Sequence, residues 1–296
     1  MPNLGSFTVN RIGFGAMQLA GPGVFGPPRD PAAARAVLRR AVELGVDHID
    51  TAQYYGPDVV NDLIREALHP YPDTLRLATK VGGRRDDAGA WQPAQRPEEL
   101  RAGVEDNLRS LRVERLDVVN LRLLEDEGAG VPLAEQLGSL ADLRAEGKLD
   151  LIGLSNVTGA IVEQALDLVD IACVQNSYSI MERAGEDVLQ LCAERGLAFV
   201  PFFPLGSAFA GGPATLAADP AVARVAARHG ATPSQVAIAW LLHRDEHILL
   251  IPGTSSVSHL EENLAAAELV LDADDHDALD HVQPVGNPMS AVAHDN

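Results

Sequence analysis

Short apolar runs, each followed by a stretch of helical period, recur along this chain, and that alternation constrains the fold more than any other feature. The runs fall at 46–50, 75–80, 116–121, 151–155, 171–175, 198–202, 248–252 and 268–271. They are nearly continuous rather than alternating, the mark of strands buried on both faces in a parallel sheet. The segments between them carry helix signals. Asp30 precedes Pro31, with Gly45 as the stop; Pro97 opens 98–110; Pro132 opens a helix ending at Gly147; Thr232-Pro233 opens 234–243. Eight such units in 296 residues predict an α/β protein: a single (β/α)8 TIM barrel spanning 1–296. Residues 7–14 predict an N-terminal hairpin that closes the bottom of the barrel.

Composition removes several function classes. A formal net charge of −19 argues against nucleic acid and anionic membranes as partners, although one pocket can still be rich in donors. Cys173 and Cys192 sit in apolar surroundings and read as reduced core thiols. The first nine residues show neither a basic region nor an apolar run, and no apolar stretch is long enough to span a bilayer, so a cytoplasmic protein is expected. With no heptads and no obvious apolar face, the expected state is a monomer. No HExxH, CxxC or P-loop pattern occurs, and no metal site is expected. Gly21-Pro-Gly23-Val-Phe-Gly26 matches a dinucleotide fingerprint in form only, because Pro27-Pro28 follows and no helix can start in register. Gly13-Phe-Gly15-Ala-Met17 is a second glycine turn without a third glycine. His48 reads as a hydrogen-bonded core histidine.

In a parallel barrel the carboxyl ends of the strands meet at one mouth, where chemistry gathers. In order, the predicted strand ends carry Asp50, Lys80, Arg122, Ser155 with Asn156, Gln175, Phe202 with Phe203, and Gly253 with Thr254. Polar and aromatic side chains directly after apolar runs suit a polar ligand. Lys80 stands out, because the chain has two lysines against twenty-one arginines. A retained ammonium suggests chemistry that needs a compact charge beside a proton donor. Asp50, a tyrosine and Lys80 are the components of such a site.

The string Asp50-Thr-Ala-Gln-Tyr-Tyr55-Gly56, with Thr79-Lys80 on the next strand, resembles the aldo/keto reductase family. So do Ile152-Gly-Leu-Ser-Asn156, Val174-Gln175, Phe202-Phe-Pro-Leu-Gly206 and Ile251-Pro-Gly-Thr254 with Glu262-Asn263, over essentially the whole chain. The resemblance implies reduction of an aldehyde or ketone by hydride from NADPH, with Tyr55 as proton donor, Lys80 as the tuning charge and Asp50 fixing Lys80. A free phenol titrates at about 10. An ammonium about 4 Å away, at an effective dielectric of about 20, would favour phenolate by about 4 kcal/mol, roughly three pKa units before desolvation is counted. Tyr54 is one place early in the pattern. By position the resemblance also implies cofactor contacts from Gly15, Met17 and Asp50. Ser155, Asn156 and Gln175 would meet the nicotinamide carboxamide, Phe202 would stack, and Leu205, Gly206 and Ser207 would line the pyrophosphate. Gly253, Thr254, Ser255, His259, Glu262 and Asn263 would hold the adenosine end at a helix amino terminus.

Three positions depart from the family pattern. Arg122 stands where a histidine usually orients the carbonyl. Arginine cannot shuttle protons, but it can hydrogen-bond an oxygen and add positive field, so a substrate with an anionic or strongly accepting group is expected; the alternative is an outward Arg122 paired with Glu125 or Asp126. Gly253 and His259 replace a lysine and an arginine, which weakens NADPH over NADH without reversing it. Trp91 and Arg122 suggest an aromatic carbonyl with a polar substituent, such as a pyridoxal-like aldehyde. Two other readings stay open: a Schiff-base enzyme using Lys80 as an amine, and a nicotinamide-binding regulatory or redox-sensing protein with little turnover.

Overall fold

A carboxylate ahead of a proline starts the first helix. Asp30 Oδ1 accepts from the amides of Ala32 at 3.0 Å and Ala33 at 2.9 Å, and Pro31 takes the position whose amide needs no partner. Thr232 does the same ahead of Pro233: its hydroxyl accepts from Gln235 N, and Gln235 Oε1 accepts from Thr232 N. Such caps fix where each helix leaves a strand, and so where the loops of the barrel mouth begin.

The computed structural model describes residues 3–124, 130–206 and 211–285. It opens with β1 (Asn3–Leu4), β2 (Phe7–Thr8), β3 (Phe14–Gly15), α1 (Pro31–Glu43), β4 (His48–Asp50), α2 (Val59–Leu68), β5 (Arg76–Arg85) and β6 (Trp91–Ala94). Next come α3 (Pro97–Leu111), β7 (Leu116–Arg122), α4 (Leu133–Ala145), β8 (Leu149–Ser155), α5 (Gly159–Leu166) and β9 (Cys173–Gln175). The chain continues with α6 (Glu186–Arg195), β10 (Ala198–Phe199), α7 (Gly212–Ala218), α8 (Pro220–His229), α9 (Pro233–Arg244), α10 (Val257–Ala265) and α11 (Ala273–Asp280).

Seven staves run parallel in the order β10-β9-β8-β7-β5-β4-β3. The segment around Ile248 and Leu250 closes the ring through parallel bridges to Phe199 on one side and Ile12 on the other. The result is a (β/α)8 barrel. One apolar layer lies between staves and helices and includes Val37, Ile49, Leu121, Ile152 and Trp240. A second fills the barrel itself, where Leu4 and Val9 pack against Ala78, Val118, Cys173 and Leu249. The N-terminal hairpin is thus the plug of the barrel floor.

Three expectations need correction. The run 268–271 is not a strand: a 3-10 turn spans Ala266–Glu268 and Val270 is 81% exposed. The missing stave is Phe14–Gly15, paired with Ile49 and Asp50. The hairpin therefore ends at Thr8 instead of running to Phe14. Finally, Lys80 does not end its strand, because β5 runs on to Arg85 and pairs antiparallel with β6. This extension rises above the rim and carries Trp91 over the mouth. Gly82 permits it, since at φ +100° an added Cβ would lie 2.3 Å from Arg122 O. As expected, the Gly21–Gly26 segment forms no helix in register; it makes a short 3-10 turn over Pro22–Val24.

Candidate active site

Asp50, at the end of β4, uses both carboxylate oxygens. Lys80 Nζ donates to Oδ1, and Gln175 Nε2 donates to Oδ2 at 2.8 Å. Lys80 Nζ also donates to Thr51 O at 2.9 Å. One carboxylate thereby ties β4, β5 and β9 together. Both members of the ion pair are buried, so each offsets the water the other has lost. Removing one partner would strand a buried charge, at a cost of about 3–5 kcal/mol.

Behind this pair lies a polar network that carries no sequence motif. Thr51 Oγ1 donates to Asn61 Oδ1 at 2.8 Å, and Thr79 Oγ1 donates to Asn107 Oδ1 at 2.6 Å. Asn61 Nδ2 donates to Asn107 Oδ1 and Ser110 Oγ at 3.0 and 2.9 Å. The neighbours of Asp50 and Lys80 are thus pinned to α2 and α3. The signal that sequence offers for it is a polar residue on an apolar helix face: Asn61 sits among Val60 and Ile64, and Asn107 beside Val104 and Leu111.

Tyr55 is buried in the turn between β4 and α2, with Lys80 Nζ 5.0 Å from its ring centroid. Burial pushes its phenol above the ordinary value, Asp50 adds to the rise, and Arg122 opposes it. Lys80, the tuning charge expected for this phenol, is itself held by Asp50. Asp50 neutralises the ammonium, and the cation that opposes the rise is Arg122. Arg122 is 8% exposed, donates from Nη1 to Ser155 Oγ at 3.0 Å, and lies 5.1 Å over the Phe202 ring. Among the described residues no carboxylate pairs with it. Glu125 and Asp126, its alternative partners, lie outside the described residues.

A cavity of about 840 Å³ opens at the mouth. Asp50, Tyr55, Lys80, Arg122, Asn156 and Gln175 line it, as do Gly15, Met17, Phe202, Leu205 and Gly206. Gly253, Thr254, Ser255, His259, Glu262 and Asn263 complete its wall along the start of α10. Ser155 stands behind the wall, where its hydroxyl accepts from Arg122. Ser207 lies outside the described residues. Asn156 holds a left-handed φ of +61° and donates to Leu123 O at 2.8 Å. Phe203, another lining residue, sits at φ +58°, a strained setting for a bulky side chain that clusters at functional sites. At Gly253 an added Cβ would lie 2.5 Å from Gly15 O. A side chain there would have to displace the Gly15 backbone. Lining residues not anticipated include Gln18, Val24 and Pro233, which carry no motif. Among the described residues no cluster of three metal-ligating side chains occurs, and no helix is long and apolar enough to cross a membrane.

A closed (β/α)8 barrel with a buried acid–lysine pair, a buried phenol and a guanidinium around one cavity defines an enzyme that works on a polar small molecule. Residues 11–284 match the model of the Aldo/keto reductase family, and the chain belongs to that family of oxidoreductases. It is 51% identical over 282 residues to the pyridoxine 4-dehydrogenase of Escherichia coli, covering 94% of this chain and 96% of that protein. Among solved structures, a thermostable aldo-keto reductase in complex with the inhibitor epalrestat matches with TM-score 0.77 and 27% identity, over 92% of this chain and 94% of the other. An aldo/keto reductase from Klebsiella pneumoniae, in complex with NADP and acetate, matches with TM-score 0.73 and 26% identity, over 93% and 92%.

Proposed function

We propose that the chain reduces an aldehyde or ketone to the alcohol, with NADPH as hydride source and Tyr55 as proton donor. Gln175 carries the cofactor reading. Its Nε2 is spent on Asp50, and its Oε1 is buried in the cavity wall with no partner among the described residues. That acceptor fits the N–H of a nicotinamide carboxamide. The opposite end fits as well, because the amides that open α10 and the hydroxyls of Thr254 and Ser255 form an anion seat. The same donors favour NADPH over NADH, even without a lysine at position 253. Bound there, a reduced nicotinamide supplies hydride to the carbonyl carbon.

The chain's own groups manage the oxygen. As the carbon gains its new C–H bond, the π electron pair moves onto oxygen and Tyr55 transfers its proton there. Burial keeps that phenol protonated at neutral pH, so the donor is loaded before substrate arrives. Arg122 favours the charge that develops on the oxygen and then on Tyr55. Asp50 and Thr51 O hold Lys80 beside the ring, so the phenolate forms next to an ammonium. Tyr55 then regains a proton from water, leaving alcohol and oxidised cofactor. The likeness to a pyridoxine 4-dehydrogenase, together with Arg122 and the aromatic wall of Trp91, Tyr54 and Phe202, supports an aromatic carbonyl with an anionic or strongly accepting substituent, such as a pyridoxal-like aldehyde. The test is an aldehyde panel with each nicotinamide, followed by the near-ultraviolet absorbance of the reduced cofactor. Consumption of NADPH with aromatic aldehydes and a lower kcat/KM with NADH are expected. Cofactor binding without turnover of any aldehyde would contradict the reading and favour a nicotinamide-sensing role.

A further inference from the structure

Tyr54 adjoins Tyr55 in the chain and in space, with their rings edge to face and centroids 5.5 Å apart. It lines the cavity yet is 2% exposed, and its hydroxyl is buried with no hydrogen-bond partner among the described residues. An unpaired buried hydroxyl is costly, and a phenylalanine would fill the same space without it. The ring is also held in place. Trp91 packs edge-on at 5.3 Å, and the Arg85 guanidinium covers Trp91 at 4.3 Å. Arg85 in turn donates to the carbonyls of Gly23, Val24 and Gly89. Tyr54 is therefore a fixed element of the wall between the proton donor and the aromatic rim.

The unpaired atom is a donor. Burial holds the proton on Tyr54 and Tyr55 adds to that effect, while Lys80 and Arg122 act in the opposite sense. Of those two cations Lys80 is matched by Asp50, whereas among the described residues Arg122 has a neutral hydroxyl as its partner. A fixed O–H in the field of a guanidinium is complemented by an anionic or strongly accepting oxygen. We propose that Tyr54 is a specificity residue, whose hydroxyl donates to an oxygen carried by an aromatic aldehyde on the ring carbon next to the carbonyl. Neighbouring oxygens on one ring suit two adjoining phenols, and the faces of Trp91 and Phe202 suit the ring. The substrate class is then the ortho-hydroxyaryl aldehydes and their pyridine counterparts. This rests on Tyr55 serving the carbonyl oxygen itself.

With NADPH present, kcat/KM is measured for benzaldehyde and salicylaldehyde with the wild-type chain, Tyr54→Phe and Tyr55→Phe. Tyr54→Phe is expected to lower the preference for salicylaldehyde by about tenfold or more, the effect of losing a hydrogen bond to a charged group. The loss should fall mainly on KM and should exceed any loss on benzaldehyde. Its Tm should hold or rise, since the substitution removes an unpaired buried group. Equal losses on both aldehydes would make Tyr54 a general structural or proton-donating group, and an unchanged preference would leave its hydroxyl without a substrate; either overturns the proposal. A wild-type chain that reduces neither aldehyde also overturns it. Tyr55→Phe reports on the underlying reading separately, since it should abolish reduction of both aldehydes whatever Tyr54 does.

Discussion

Arg122 stands where the family resemblance implies a histidine, and the structure places it in the cavity wall. It lines the cavity and raises positive potential at both Tyr54 and Tyr55. Arg122→His is expected to reduce the kcat/KM ratio of anionic to neutral aldehydes by about tenfold, as the loss of a charged hydrogen bond would. An unchanged ratio would place Arg122 outside substrate binding. At this scale the sequence was informative about identity and silent about burial. Lys80 announced itself as one of two lysines, and Asp50 and Tyr55 by their spacing to it. That burial and Asp50 would hold the Tyr55 phenol high could not be read, because both effects belong to packing across staves.

The decisive element is β5. Its lower half carries Thr79 and Lys80 in the barrel, and its upper half carries the hairpin that brings Trp91 over Tyr54. Asn107 on α3 sets its register from behind, holding Thr79 while its own Nδ2 donates to Gly103 O at 2.8 Å. Asn107→Ala should leave Thr79 Oγ1 and Asn61 Nδ2 short of an acceptor and lower stability by about 1–3 kcal/mol per group left unpaired. It should also lower kcat through a displaced Lys80. Denaturant melts and kinetics on the same preparation check both effects, and a variant with wild-type stability would remove the network from this role. Long apolar runs such as Leu116–Arg122 were legible as strands. Phe14–Gly15 was not, because it is two residues long and flanked by glycine. Run 268–271 misled for the opposite reason: it is apolar in composition, yet Val270 points to solvent.

For the whole molecule, barrel closure followed from the alternation of strand and helix, while the depth of burial had to be seen. All four tyrosines and both cysteines have their pKa raised, by burial first in every case, with the thiols pushed up to about 12. Unfolded thiols and phenols titrate at about 8.5 and 10. Above those values the unfolded chain sheds protons that the folded chain keeps, so stability must fall as pH rises. Tm should be insensitive to these groups below about pH 8.5 and drop steeply from there toward pH 12; a flat alkaline profile would mean that the six groups are open to water. The proton of Tyr55 belongs to that same buried set, and the proposed reaction depends on its delivery. The most direct measurement is kcat for an aromatic aldehyde with Tyr55→Phe, alongside a fluorescence titration of NADPH. Cofactor binding should persist while kcat falls by about a hundredfold or more. A variant that binds NADPH and still reduces the aldehyde at close to the wild-type rate would show that the proton comes from another group.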